Sequence, residues 1–169
     1  MEITQTNGSA STTTSDCQVN EGLIKVVSKT LIVRTNEQTD LIDLTADLHA
    51  FVAGSGIAAG YIHLSSLHTT AALFINEWQD ALLTDVRMTL DRLVPPEIYY
   101  RHNDPRHSDC DRKNAVSHLR NTILGNSLSI PITRGELVLG RWQRVIFAEF
   151  DGPNERKVFA QALGVSGEP

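Results

Sequence analysis

The last third of the chain carries strand-forming runs separated by turns and shows no helical period. Leu128, Ile130 and Ile132 alternate with Ser127, Ser129 and Pro131, the period of two that puts one face of a strand into a core. Arg134-Gly135 then turns the chain into residues 136–140, Arg141-Trp142-Gln143 leads into residues 145–150, and Asp151-Gly152-Pro153 turns it into residues 157–163. Such a series folds as antiparallel sheet, with Pro131 confining its strand to an edge because proline has no N–H for a ladder.

The first two thirds alternate strands with helices. Residues 22–34 hold the β-branched runs Leu23, Ile24, Val26, Val27 and Leu31, Ile32, Val33, broken only by Ser28-Lys29-Thr30, as in one long bent strand or a hairpin. Leu44, Leu48, Phe51 and Val52 follow a helical period, with Asp43 or Thr45 as cap and Gly54-Ser55-Gly56 as stop. Residues 60–67 and 71–75 return to strand. If no bulge intervenes, Ile62, Leu64, His68, Thr70 and Phe74 share one face and His68 points inward. Leu82, Val86, Leu90 and Leu93 mark a second helix, with Arg87 and Asp91 spaced to pair and Pro95-Pro96 as terminator. Residues 99–113 have no period and read as a long loop. A third helix over 114–124 buries Val116, Leu119 and Ile123 and turns Asn114, His118 and Thr122 the other way, before Gly125. The fold class is therefore α+β, antiparallel β-sheets packed as a sandwich with flanking helices.

At 169 residues the chain suits one domain over residues 20–169, able to bury about 70% of its unfolded surface. Residues 1–19 are a Ser/Thr-rich tail too polar to offset the entropy of ordering, and they read as disordered. A net charge of -5 with no Lys/Arg block argues against nucleic acid as a partner. Cys17 and Cys110 form neither a disulfide framework nor a zinc-finger spacing, which suits a reducing compartment. No apolar run reaches the ~20 residues of a membrane span and no targeting pattern opens the chain, so the expected location is cytoplasmic, away from the membrane.

Three histidines carry the chemical interest. His68 opens His68-Thr69-Thr70 inside an apolar stretch, His102 lies in the long loop, and His118 lies on the third helix. Their spacing does not vouch for a metal site, and separate satisfied or solvated imidazoles are the favoured reading from spacing alone. Each nevertheless has hydroxyl, amide or carboxylate neighbours able to orient a ring. His63 reads as structural, His49 as a helix-surface residue and His107 as a solvated loop residue. Thr69 and Thr70 are either phosphate-binding hydroxyls or ordinary strand residues. Asn76 and Glu77 either cap the second helix or reach the site, and capping suits one of them. Arg141 and Arg144, beside Trp142-Gln143, are either a phosphate clamp or solvated cations. Asp104 is a candidate fourth ligand or general base, whereas Asp109 and Asp111 read as loop solvation. There is no Walker loop, G-x-G-x-x-G, G-x-S-x-G or C-x-x-C.

A longer series of stretches is more specific. His68-Thr69-Thr70-Ala71-Ala72-Leu73 with Asn76-Glu77, Tyr100-Arg101-His102-Asn103-Asp104, Asn114 to Leu119 and Leu124-Gly125-Asn126-Ser127-Leu128 occur in order. Ile130-Pro131-Ile132, Gly135, Gly140-Arg141-Trp142-Gln143 and Phe147 to Asp151 continue the series. In these the chain resembles the YjbQ family, described as secondary thiamine-phosphate synthases. The resemblance implies a YjbQ-like α+β fold, a homotrimer, and a site in which His68, His102 and His118 hold a divalent metal, zinc by expectation, with an open fourth position. Ser127-Leu128 and Gly140 to Gln143 would line the same pocket. Many members carry His-Ala-His where this chain has Val116-Ser117-His118, which leaves three imidazoles.

The activity implied is a transferase of thiamine biosynthesis, joining a pyrimidine-methyl diphosphate to a thiazole phosphate. The candidate catalytic residues are His68, His102, His118, Asp104 and Glu77. The candidate substrate- or phosphate-binding residues are Thr69, Thr70, Asn76, Ser127, Arg141 and Gln143, for a small phosphorylated metabolite. The alternatives are a metal-dependent hydrolase, with Asp104 or Glu77 as base, and a non-catalytic trimeric ligand- or metal-binding module.

Overall fold

Among the described residues, eight strands form two antiparallel sheets. The computed structural model describes residues 19–109 and 111–166, so the expected tail over residues 1–19 lies almost wholly outside the described residues, as do Cys17 and Cys110. In chain order the elements are β1 Ile24–Arg34, β2 Asp40–Asp43, α1 Thr45–Ser55, β3 Ile57–Ser66, β4 Ala71–Glu77 and α2 Asp80–Leu93. A single 3₁₀ turn at Arg101–Asn103 precedes α3 Ala115–Leu124, β5 Ser127–Thr133, β6 Glu136–Leu137, β7 Gln143–Glu149 and β8 Glu155–Ser166. One sheet has the order β1-β8-β3-β5-β6 and the other β2-β7-β4. The expected α+β sandwich is thus the observed architecture.

The layers follow from the burial pattern. Leu31, Val33, Ile62, Leu64, Ile130, Val158 and Ala160 of the larger sheet meet Ala71, Leu73, Val145 and Phe147 of the smaller one, and Leu48 and Val52 of α1 close one side. The far face of the smaller sheet, through Ala72, Ile146, Ala148 and Phe150, packs on Leu83 and Leu90 of α2. The smaller sheet is consequently buried on both faces, which is why β7 reads as an unbroken apolar run rather than an alternation. β1 is one strand, paired with β8 along its whole length. β5 is covered on its outer side only by two residues of β6, the near-edge position Pro131 demands.

Four local expectations are corrected. His68-Thr69-Thr70 is not strand: β3 ends at Ser66 in one sheet and β4 begins at Ala71 in the other, so the segment is the corner between sheets and the alternation does not run through it. The buried side of α3 carries Ala115, Ser117 and Arg120, whereas Leu119 and Ile123 are 41% and 50% exposed. The reason is Arg120, whose Nη2 donates to Asp91 Oδ1 on α2 at 2.6 Å and fixes which face turns inward. Asp91 is therefore not Arg87's partner. Asn76 and Glu77 end β4 and do not cap α2; Gln79 does, accepting from Leu82 N at 2.8 Å.

Candidate functional site

A charged pair organises one end of the sandwich. Glu149 ends β7 with its side chain fully buried, and Arg156, 6% exposed, faces it from β8. Arg156 donates through Nε and Nη2 to the carboxylate, and through Nη2 to Thr70 Oγ1 at 3.1 Å. Glu149 Oε1 also accepts the backbone N–H groups of Phe150 (3.0 Å) and Asp151 (2.9 Å). One ion pair thereby fixes both the 67–70 corner and the chain leaving β7. At Gly152 a Cβ would lie 2.1 Å from the Glu37 carbonyl oxygen, so only glycine lets the chain turn there.

Two histidines meet just outside this pair. The His102 and His118 rings stand edge to face, with centroids 5.0 Å apart. Asn114, 8% exposed, donates from Nδ2 to Asp151 Oδ2 at 2.8 Å, so its Oδ1 faces His102 Nε2 at 3.3 Å as an acceptor. His102 therefore carries its proton on Nε2 and keeps a lone pair on Nδ1 when neutral. The Thr69 backbone beside His118 favours the imidazolium. Burial and the neighbouring His102 together hold the His118 pKa below its ordinary value, against the opposing pull of Asp151 and Thr69.

His68 does not join them. Its Nε2 accepts the Lys157 backbone N–H at 2.8 Å, and its Nδ1 faces the Arg156 guanidinium at 3.5 Å. Burial first and Arg156 second lower its pKa. A ring with one nitrogen bonded to an amide and the other against a cation has no lone pair to offer, so the expected set of His68, His102 and His118 does not fit zinc in this arrangement. Among the described residues no group of three or more His, Cys, Asp or Glu side chains is placed to hold a metal ion.

Asp104 is likewise not placed as a base. It accepts from Arg106 Nε and Nη2, from Arg106 N and from the Tyr99 hydroxyl at 2.7 Å. The Arg106 side chain above all, then Tyr99, holds its carboxyl well below the usual range. Its work is to pin the loop that carries His102. Thr70 is 5% exposed with its hydroxyl accepting from Arg156, while Thr69 is exposed. Ser127 pairs with Ser65 near the His68 corner.

The remaining candidates lie elsewhere. β4 and β7 run antiparallel with Ala71 opposite Glu149 and Glu77 opposite Gln143. Asn76, Glu77, Arg141 and Gln143 are therefore at the other end of the sheet, about 20 Å from the histidines at ~3.3 Å per residue. The sequence reading missed Glu149, Arg156, Asn114 and Asp151 as site-forming residues. Two signals were available: Glu149 is a lone carboxylate in an otherwise apolar run, and Arg156 sits at the inward parity of β8.

A cleft of about 310 Å³ is lined by Asn103, Asn114 and Asp151 with Gln38, Arg112 and Lys113, and neither His102 nor His118 lines it. Arg112 Nε lies 3.4 Å from Asp151 Oδ2.

The family model for UPF0047 protein YjbQ-like matches residues 29–165. The chain belongs to this family. Among its relatives, a UPF0047 protein of Methanothermobacter thermautotrophicus is 37% identical over 146 residues, 86% of this chain and 96% of that one. The UPF0047 protein YugU of Bacillus subtilis is 32% identical over 136 residues, 80% of this chain and 98% of that one. Among solved structures, a YbjQ-like protein of unknown function from Sulfolobus solfataricus superposes with TM-score 0.78 at 33% identity, covering 83% of this chain and 99% of its own. A hypothetical protein of Aeropyrum pernix does so with TM-score 0.74 at 34% identity, covering 82% and 98%. The YjbQ-like stretches include the His68 corner, the His102 loop, α3 and the end of β7, so the imidazole pair and its supports lie within the family's part of this chain.

Proposed function

We propose that this YjbQ-like chain is an enzyme that performs proton transfer on a small phosphorylated metabolite, with His102 and His118 as the acid–base pair. The observation that carries the reading is the pair itself: two imidazoles in edge contact, His102 held by Asn114. A protonated ring gives its proton to the departing group, and the other ring returns one to it. Asp151, through Asn114, orients His102 as the carboxylate of a triad orients its histidine. Arg112 and Lys113 line a cleft that shares Asn114 and Asp151 with the supports of this pair, and their positive charge suits a phosphate or a departing diphosphate.

The specific reaction we assign is the transfer implied by the YjbQ resemblance, in which the thiazole ring nitrogen bonds to the pyrimidine-methyl carbon as that carbon's bond to the diphosphate oxygen breaks. Cations stabilise the departing diphosphate and a protonated histidine gives it a proton, while the ring nitrogen, which carries no hydrogen, becomes the thiazolium of the product. No step is routed through zinc, since His68 has no free nitrogen. The trimer implied by the same resemblance would cover the outer face of the larger sheet, where Val26, Leu163, Tyr61 and Pro131 stand in one cross-strand row with Val26 56% and Tyr61 44% exposed. We place the assembly in the cytoplasm; among the described residues no helix is long and apolar enough to cross a membrane.

The test is product formation from the two phosphorylated substrates together, compared with each alone, in wild type and in His102→Asn and His118→Asn. Condensation that falls by about 100-fold or more in both variants supports the reading. Phosphate release from one substrate alone would replace transfer by hydrolysis. Full activity in both variants would remove the imidazole pair from the chemistry. Dialysis against EDTA leaves the rate unchanged under this reading, and a loss restored by zinc would return the histidines to a ligand role.

A further inference from the structure

The turn Gly140 to Gln143 is left unused by the imidazole site, yet it is built as firmly. Gly140 N donates to Gln143 Oε1 at 2.7 Å, and Gln143 N donates to the Gly140 carbonyl at 2.9 Å. Between them Arg141 lies over the Trp142 ring, its guanidinium carbon 4.8 Å from the centroid, and Trp142 is 60% exposed. Among the described residues Arg141 has no carboxylate within ion-pair distance.

Arg144 donates to the carbonyls of Arg141 (3.2 Å) and Gln143 (2.8 Å) and reaches Asp43 Oδ2 only at 4.0 Å. Asp43 is engaged instead at the start of α1, where its Oδ1 accepts from Thr45 N at 2.8 Å. Arg141, Arg144 and Asp43 line a cleft of about 430 Å³ together with His49 and Ala46 of α1 and with Leu137 and Leu139. Apolar side chains beside two arginines and an imidazole, with the one lining acid already engaged, have the composition of a site for an anion with an apolar body.

We propose that this cleft is a second binding site, for a phosphomonoester with a small aromatic or apolar body. The phosphate lies among Arg141, Arg144 and His49, and the body rests on Leu137, Leu139 and Ala46. Trp142 holds Arg141 in place by cation–π contact until the phosphate takes the guanidinium. The inference goes beyond the function proposed above. It uses none of the groups at the imidazole pair and lies about 20 Å from them along the sheet, too far for one small molecule to reach both.

The chain has two tryptophans, so Trp78→Phe leaves Trp142 as the only indole reporter. Phenyl phosphate titrated into that protein should change Trp142 emission saturably, with calorimetry giving the Kd independently. We expect phenyl phosphate to bind at least about tenfold more tightly than phenol or inorganic phosphate, because both halves of the ligand are needed. Arg141→Ala and Arg144→Ala, checked as folded by circular dichroism, should each weaken it about tenfold or more. His102→Asn should leave the affinity unchanged, which separates this site from the proposed catalytic one. Binding no tighter than inorganic phosphate, full affinity in both arginine variants, or loss of affinity in His102→Asn would each overturn the proposal.

Discussion

Replacing Glu149 by glutamine changes one atom at the centre of the site, and the structure allows its cost to be worked out. The carboxylate is fully buried, Arg156 is 6% exposed, and the oxygens together accept from Arg156 Nε and Nη2 and from the backbone N–H groups of Phe150 and Asp151. Glutamine supplies one oxygen and one NH₂, so a donor meets donors on one side of the amide. The Arg156 cation is left buried without a countercharge. Breaking a buried pair by removing one partner costs about 3–5 kcal/mol. For a domain of this size that lowers Tm by roughly 6–20 °C.

The assay is urea unfolding followed by far-UV circular dichroism, with a thermal melt beside it. Glu149→Leu combined with Arg156→Met should be more stable than Glu149→Gln alone, since an apolar pair of similar volume replaces a buried ion pair at little cost. It should still lose activity, because the Asp151 amide would lose its carboxylate acceptor and Phe150 N would keep only the Thr70 carbonyl at 3.2 Å, and Asp151 positions Asn114 and His102. A Glu149→Gln destabilisation below about 1 kcal/mol would refute the reasoning, for it would mean the pair is solvated or that Arg156 finds another partner.

Four further outcomes are expected. Asn114→Leu should free the His102 ring, read as a loss of the single Nε2–H tautomer in imidazole ¹⁵N spectra together with a fall in kcat; an unchanged tautomer would place its restraint elsewhere. The pH dependence of stability has a definite sign: His68 and His118 have folded pKa values below the ordinary 6.5, so the unfolded chain binds their protons first and stability is lost as pH falls below about 6.5. Removing both rings as His68→Gln and His118→Asn should flatten that limb, and a limb of unchanged depth would assign it to other groups. Asp104 is held low by Arg106 and Tyr99, so its stabilisation is present above the ordinary carboxylate pKa of about 3.9 and is lost as pH falls toward the folded value. Tyr99→Phe should loosen the 99–109 loop, seen as faster amide exchange at Asp104 and His107, and equal protection in the variant would remove the tyrosine from that role.

Local periodicity made most of the framework legible. The β-branched run of β1, the alternation in β5, the stop at Pro95-Pro96 and the Gly54-Ser55-Gly56 end of α1 are all enforced within a few residues, and the structure keeps them. The errors came where distant groups overruled the local pattern. α3 shows Leu119 and Ile123 to solvent because Arg120 is tied to Asp91, 29 positions earlier. His68 looked like a strand residue because its neighbours are apolar on both sides. In the fold those neighbours belong to different sheets.

The candidate site divides in the same way. The sequence by itself determined which side chains were worth attention: His102 and His118, the hydroxyl- and amide-rich surroundings of each, and the Gly140 to Gln143 turn. Only the tertiary structure decided how they group. It brought His102 to His118, set His68 against Arg156 with both nitrogens occupied, and moved Glu77, Arg141 and Gln143 to the opposite end of a seven-residue strand. The physical reason is that a residue's secondary structure is fixed largely by near neighbours, whereas the partner of a buried charge or a ring nitrogen is set by strand register. Register depends on which faces the whole chain can bury at once.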